Sequence, residues 1–283
     1  MKKRLLRELR SNLVYMSQVE RKLAQVILKD PARFVSYTLG ELAEQAEVSQ
    51  GSIVNFANKY CGGGFPALKM EIAASLSHES EEPFSMVQDS DSLKEILQKT
   101  TASIGDALEN TAVLNDEETL RAVGDMILGA KKVEIYGIFR SAVVATDFYF
   151  QLLQLGVPAT FVSDVLTCAV SASMLGEGSL VIAISTSGQT QDVIDAVRLA
   201  KANGVPVVTI TAHKASPLAQ LADRVLIAAP SGNARSAVAN EVRLSQLALT
   251  DALCSYLRSK IDADGNNRYF KMNEILSSHN VKD

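Results

Sequence analysis

The chain has 283 residues, of which 47% are hydrophobic and 21% charged, with a formal net charge of −4. That length accommodates about two domains and the composition is that of a globular protein. Arg7, Glu8 and Arg10 interrupt the apolar core that a signal peptide would need, and no apolar run reaches the ~18 residues of a membrane span, so a cytoplasmic chain without a membrane partner is expected.

Cys61, Cys168 and Cys254 show no paired spacing, and His78, His213 and His279 are equally dispersed. Neither a disulfide framework nor a zinc site follows, and no metal or cofactor is expected. The charge is uneven: residues 1–76 hold 11 Lys/Arg against 7 Asp/Glu, and residues 77–283 hold 17 against 25. A basic small segment joined to an acidic large one directs any polyanion to the N-terminal part.

That part reads as helices. Ser17-Gln-Val-Glu20 is a capping box, followed by Val19, Leu23, Val26 and Ile27 at helical spacing. Asp30-Pro31 marks a boundary. Thr38-Leu-Gly-Glu41 is a second capping box, opening a short helix through Ala46 with Leu39, Leu42, Ala43 and Ala46 inward. After the turn Glu47-Val48, Ser49 caps a third helix, with Ile53, Val54, Phe56 and Ala57 on its apolar side and Gln50, Ser52, Asn55 and Lys59 on the other. Two short helices and a tight turn form a helix-turn-helix; an ordinary three-helix packing module would share these features. Gly51 and Ser52 are small enough for close entry into a major groove. Gln50 and Asn55 are placed to read base edges, Ser49 and Lys59 to hold phosphates, and Thr38 completes the candidate DNA-binding set.

Cys61-Gly62-Gly63-Gly64-Phe65 ends that helix. No strand precedes it and no Lys-Ser/Thr follows in register, so it is a terminator and not a phosphate loop. Phe65 and Leu68 anchor a further helix to about residue 76, and the polar stretch 77–91 reads as a linker. The expected division is therefore 1–76, a linker 77–92, and 93–283.

Residues 93–128 show helical periodicity through Leu93, Ile96, Leu97, Ile104, Leu108 and Val113, broken at Asn115-Asp116, with a second helix over 117–128. Strands are expected at 132–136, 159–162, 180–184, 206–210 and 225–228, alternating with helices at 141–155, 165–175, 190–203 and 238–259. Such alternation implies a parallel five-stranded sheet flanked by helices, with ligands bound beyond the carboxyl ends of the strands.

The stretch Leu180-Val-Ile-Ala-Ile-Ser185-Thr-Ser187-Gly188-Gln-Thr190 carries the most chemistry. A strand feeds a hydroxyl-rich turn into a helix N-terminus, where free N–H groups and the positive end of the helix dipole favour an anion. Ser185, Ser187 and Thr190 add side-chain donors beside Gln189, and Gly188 allows close backbone approach. A cap needs one hydroxyl, and this turn offers three. With no lysine and no Walker pattern, a small phosphorylated metabolite fits better than a nucleoside triphosphate. The turn 137–141 falls at the same edge of the sheet.

Ser185-x-Ser187-Gly188-x-Thr190, preceded by Gly137-Ile-Phe-Arg-Ser141, resembles the sugar-isomerase (SIS) domain. Asp30-Pro31, Leu42-Ala43, Val48-Ser49, Ile53-Val54-x-Phe56, Gly64-Phe65 and Leu68-Lys69 resemble the helix-turn-helix of RpiR-family transcription regulators, in the family's order. The resemblance implies an all-α DNA-binding domain followed by an α/β SIS domain. It implies a double-stranded DNA operator, a phosphosugar effector, and a homodimer or homotetramer that regulates a sugar or amino-sugar operon without being an enzyme. The implied ligand set is Gly137, Arg140, Ser141, Ser185, Ser187, Gly188, Gln189, Thr190 and Glu241. Two positions depart from the family pattern. Phe139 stands where the first SIS turn has its second glycine, and its ring is expected to crowd the pocket or shift the backbone. Asn55 stands where a basic residue is common.

The competing function is an aldose–ketose isomerase, which needs a base beside a carbonyl. Glu241, at the start of the last long helix, and His213, expected at the surface of a polar loop, are the available groups. Asp262-Ala-Asp264-Gly265 lacks the spacing of a calcium loop and reads as a solvated turn. Tyr269, Phe270, Met272, Ile275 and Leu276 suit a short docking helix in the tail.

Overall fold

The computed structural model describes residues 4–76, 87–231 and 240–263; most of the expected linker, the turn at Asp264-Gly265 and the tail helix lie outside the described residues. The chain divides into two compact units, Met1–Leu114 with Pro230–Ala234, and Asn115–Ala229 with Arg235–Asp283.

The first unit is helical: α1 (Arg4–Asn12), a 3-10 turn at Leu13–Tyr15, α2 (Gln18–Lys29), α3 (Pro31–Ser36), α4 (Leu39–Ala46), α5 (Gln50–Cys61), α6 (Gly64–Leu76) and α7 (Leu93–Leu114). Both expected capping boxes close, Ser17 with Glu20 and Thr38 with Glu41. Asp30-Pro31 ends α2 and also starts α3: Asp30 accepts from the Arg33 N–H at 2.9 Å, and proline suits the first helical position, where its missing donor costs nothing. Leu23, Ile27, Phe34, Leu42, Ile53, Phe56, Leu68 and Ile72 form the core, with Phe65 edge-on to Phe34 at 6.2 Å between centroids. Val54, expected on the buried side of α5, is instead 37% exposed. Along α7, Leu93, Leu97, Leu108 and Val113 are exposed.

The second unit holds α8 (Glu117–Gly129), β1 (Lys132–Gly137), α9 (Arg140–Gln154), β2 (Ala159–Val162), α10 (Val165–Met174), β3 (Ser179–Ile184), α11 (Gln191–Ala202), β4 (Val207–Thr211), α12 (Pro217–Leu221), β5 (Arg224–Ile227) and α13 (Asn240–Ala263). The sheet is parallel throughout, in the order β2-β1-β3-β4-β5. The central strand β3 is an apolar run because both of its faces are covered, whereas β1 carries a buried carboxylate, Glu134. Val133, Ile135, Ile182 and Ile210 pack with Val123 of α8, Val144 and Phe148 of α9 and Leu253 of α13. Tyr136, Val181, Ala183 and Val207 pack on the other face with Cys168 of α10 and Val193 and Val197 of α11. The edge strand β5 is finished by a side chain: Asn115 Nδ2 donates to the Ile227 carbonyl, and the Ile227 N–H donates to Asn115 Oδ1, both at 2.8 Å.

Candidate functional site

Register places the two hydroxyl-bearing turns side by side. Gly137, the last residue of β1, pairs with Ile184, the last of β3. The turns 138–141 and 185–190 therefore leave adjacent strand ends, at the point where strand order reverses between β1 and its two neighbours. Ligands of open parallel sheets bind at such points.

The β3 turn is held by its own hydroxyls. Ser185 is buried; its Oγ accepts from the Gly188 N–H at 3.2 Å and lies 3.2 Å from Thr190 Oγ1. Ser187 Oγ accepts from the Gln189 N–H at 3.2 Å. Thr190 occupies the N-cap of α11 but makes no side-chain cap bond, which leaves the helix's leading N–H groups without the usual hydroxyl acceptor. Gly188 has φ +62°, and a Cβ built there would lie 2.2 Å from Ser216 Oγ. Glycine is thus required here by the backbone and by Ser216. Neighbouring groups come from the other side of the sheet edge. Thr211 Oγ1 donates to the Thr186 carbonyl at 3.3 Å, and Gln246 of α13, 1% exposed, brings Nε2 to 3.5 Å from Thr186 Oγ1.

Around β1 the fit is equally close. A Cβ on Gly137 would meet Ala145 Cβ at 2.7 Å and the Ser141 carbonyl at 2.9 Å, so α9 can begin here only over a glycine. The Ser141 N–H donates to the Ile138 carbonyl at 3.2 Å, closing a four-residue turn whose first central residue, Phe139, has φ 55° and ψ −118°. These are type II′ values, ordinarily taken by glycine. Phe139 takes this glycine-type conformation, and its ring is 85% exposed. Ser141 is buried in the first turn of α9. The Arg140 guanidinium donates to Asn240 Oδ1, joining the start of α9 to the start of α13 beside half-buried Glu241.

His213, expected at the surface, is buried. Its N–H donates to Thr211 Oγ1 at 3.3 Å and its carbonyl accepts from the Ser216 N–H at 3.1 Å, because the segment after β4 folds back over the sheet edge. Burial pushes the Cys168 thiol up to about 11 and the Cys254 thiol up to about 12, so both are neutral at physiological pH and poor nucleophiles. Among the described residues no cluster of three or more His, Cys, Asp or Glu could hold a metal ion. Sequence reasoning missed Thr211, Ser216 and Gln246. The only signal for Thr211 and Gln246 was polarity at inward positions, and for Ser216 it was the Ser-Pro pair that opens α12.

In the first unit, Gln50, Gly51 and Asn55 share one exposed face of α5. Ser49 Oγ accepts from the Ser52 N–H at 3.2 Å and lies 2.8 Å from Ser52 Oγ, while Thr38 Oγ1 accepts from the Glu41 N–H at 3.2 Å. These three hydroxyls serve as caps and cap partners. Lys59 turns away from the outer face to Glu20 Oε1, at 2.5 Å, and lies over the Tyr60 ring. Exposed Val54 and Asn58 join Gln50 at i+4 and i+8; that spacing was available in the sequence but hidden by sorting residues on hydrophobicity. The turn into α5 uses Glu47 in a left-handed conformation (φ 50°), tied to Lys22 of α2 at 2.7 Å.

Residues 3–79 match the family model of the helix-turn-helix domain of the rpiR family, and residues 126–256 match that of the SIS domain. An uncharacterized HTH-type transcriptional regulator of Caldanaerobacter subterraneus is 30% identical over 263 residues, covering 93% of each chain. The HTH-type transcriptional regulator HexR of Escherichia coli is 26% identical, with 89% of this chain and 86% of HexR covered. Among solved structures, the Vibrio vulnificus NanR protein complexed with ManNAc-6P superposes with a TM-score of 0.62 at 26% identity, over 98% of this chain and 100% of that one.

Proposed function

The chain belongs to the rpiR family of helix-turn-helix transcriptional regulators carrying a SIS domain, and on that premise we propose that a sugar phosphate held beyond β1 and β3 controls the binding of α5 to an operator. The carrying observation is the pairing of Gly137 with Ile184, which sets two hydroxyl turns and the open N-terminus of α11 around one point. In this reading Ser187, Gln189 and Thr190, with the leading N–H groups of α11, take the phosphate. Ser185 and Gly188 hold the turn in shape, Gly137 and Ser141 shape the opposite wall, and Arg140 and Glu241 meet the sugar. NanR, similar to this chain over nearly its whole length, is seen with ManNAc-6P, which makes amino-sugar phosphates the first ligands to try.

The operator is double-stranded DNA, met by Gln50, Gly51 and Asn55 in the major groove. Thr38, Ser49, Ser52 and Lys59 flank them at the phosphates. We take residues 1–76 as the DNA-binding head, 77–92 as linker and 93–283 as the ligand domain, assembled as a homodimer or homotetramer in the cytoplasm. The ligand acts only if it binds one arrangement of the heads more tightly than the other. Relatives named as regulators favour sensing over turnover.

Thermal melting against a panel of sugar phosphates and their unphosphorylated parents tests this. A ligand at a hundredfold its dissociation constant adds about 2.7 kcal/mol to stability. A rise confined to one phosphorylated sugar and lost in Ser187→Ala supports the site. A rise equal for the parent sugar, or isomerisation of the ligand abolished by Glu241→Gln, overturns the sensor reading.

A further inference from the structure

We infer that α5 reads A·T base pairs, with Val54 against a thymine methyl, so that the operator half-site is A·T-rich where this helix enters it. The inference rests on the DNA-binding reading above and deepens it. It starts from what the exposed face of α5 contains and what it lacks.

Gln50, Val54 and Asn58 follow one another at i, i+4 and i+8, one turn apart, with Gly51 and Asn55 beside them, and all five are exposed. The core side of the helix is formed by Ile53, Phe56 and Ala57. The outer face is therefore three carboxamides and one branched apolar side chain around a glycine. A carboxamide matches adenine in the major groove, accepting from N6 and donating to N7, and an apolar side chain matches the C5 methyl of thymine. Guanine is read best by the fork of arginine or by lysine, and cytosine by a carboxylate. No arginine, aspartate or glutamate occurs in α5. Its one cation, Lys59, lies a full turn beyond Asn55, with its ammonium on Glu20 Oε1 at 2.5 Å. The face thus holds groups for A·T pairs and none of the strong readers of G·C pairs.

Val54 is apolar yet partly open to solvent. At 37% exposure it lies outside the core that surrounds Ile53 and Phe56, and a β-branched residue on the outside of a helix is a weaker helix former than alanine. Contact with a methyl group in the groove gives it a partner.

The test uses the full chain and a pool of random duplexes carried through rounds of selection, followed by substitution within the enriched duplex. The expected enriched half-site contains a run of A·T pairs. Replacing one of its thymines by deoxyuridine removes only a methyl and weakens wild-type binding by about fourfold, the equivalent of one buried carbon. Val54→Ala, which retains the fold because the position is exposed and alanine favours helix, binds the thymine and deoxyuridine duplexes within about twofold of each other, since the contact on which that methyl was worth fourfold is gone. Asn55→Ala, read on 7-deazaadenine duplexes, checks the carboxamide contacts independently. An enriched half-site with G·C pairs at the contacted centre, or a thymine methyl effect unchanged in Val54→Ala, overturns the inference while leaving a DNA-binding regulator. Absence of any enriched sequence overturns both it and the reading on which it rests.

Discussion

Gly188 and Ser216 meet so closely that a Cβ on the glycine would lie 2.2 Å from the serine Oγ and 2.5 Å from its Cβ. The contact joins the turn after β3 to the cap of α12, and the Gly188 carbonyl also accepts from the Leu218 N–H at 3.1 Å. Gly188→Ala is expected to cost about 2 kcal/mol or more, from a forced left-handed backbone and overpacking. Adding Ser216→Gly should recover a large part of that loss, because glycine is a tolerable cap and removes the clashing atoms. Urea melts of the single and double variants check this; additive losses would show that the clash is not the cause.

Phe139 sits at a glycine-type backbone position with its ring in water. Strain of this kind costs about 1–3 kcal/mol, only part of which the flexibility of an unfolded glycine would offset. Phe139→Gly should therefore raise the melting temperature, by about 1 kcal/mol in stability. An unchanged or lower midpoint would mean that the turn is not strained by its side chain.

Lys59 is held by Glu20, so a phosphate must compete for it. Glu20→Gln releases the ammonium while keeping a residue that can close the capping box with Ser17. DNA binding should tighten, and the slope of log affinity against log salt should steepen by about 0.9, one phosphate contact. An identical slope would place Lys59 away from the backbone of the DNA.

The same carboxylates predict acid sensitivity. Burial acts to raise the Glu20 carboxyl, but hydrogen bonds from Lys59 and from the N–H and hydroxyl of Ser17 outweigh it and hold it below its ordinary range. The Thr38 N–H and hydroxyl lower Glu41, and Lys22 lowers Glu47. Groups with depressed folded values stabilise above the unfolded value, about 4.3 for glutamate, and that stability disappears as pH falls through the folded values. Melting of the helical unit should be insensitive to these groups between neutrality and about pH 5, then decline below about pH 4.3, less steeply in Glu20→Gln.

Asn115 serves the main chain of Ile227 as a further strand would. Asn115→Ala leaves a buried donor and a buried acceptor unmatched, at a cost of about 3 kcal/mol. Thermal denaturation of the variant measures it, and a loss below about 1 kcal/mol would show that water replaces the amide.

Much of the architecture was legible in the sequence. The strands of a sheet covered on both faces stand out as apolar runs, and the expected segments 180–184 and 159–162 agree with β3 and β2 to within a residue. Capping boxes at Ser17 and Thr38 are local patterns, readable without any tertiary knowledge. α3 was hidden because a proline that starts a helix also looks like one that stops it. α12, only Pro217–Leu221, is too short to show a period. What resisted reading were pairings between distant positions: Glu20 with Lys59, Gly188 with Ser216, Gln246 with Thr186. The hydroxyls of the β3 turn could be found from composition, but the reason for its glycine could not, because Ser216 belongs to another loop.

The neighbourhood of β1 and β3 has a consequence for the order in which the chain is made. β1 cannot complete the cradle until α9, β2 and α10 have been synthesised and β3 has followed them, whereas every residue of α5 has left the ribosome long before. A product truncated ahead of Ser179 would keep α5 and lose both β3 and the turn 185–190. On the proposed function, premature termination or proteolysis in that interval separates α5 from the turn proposed to hold the sugar phosphate.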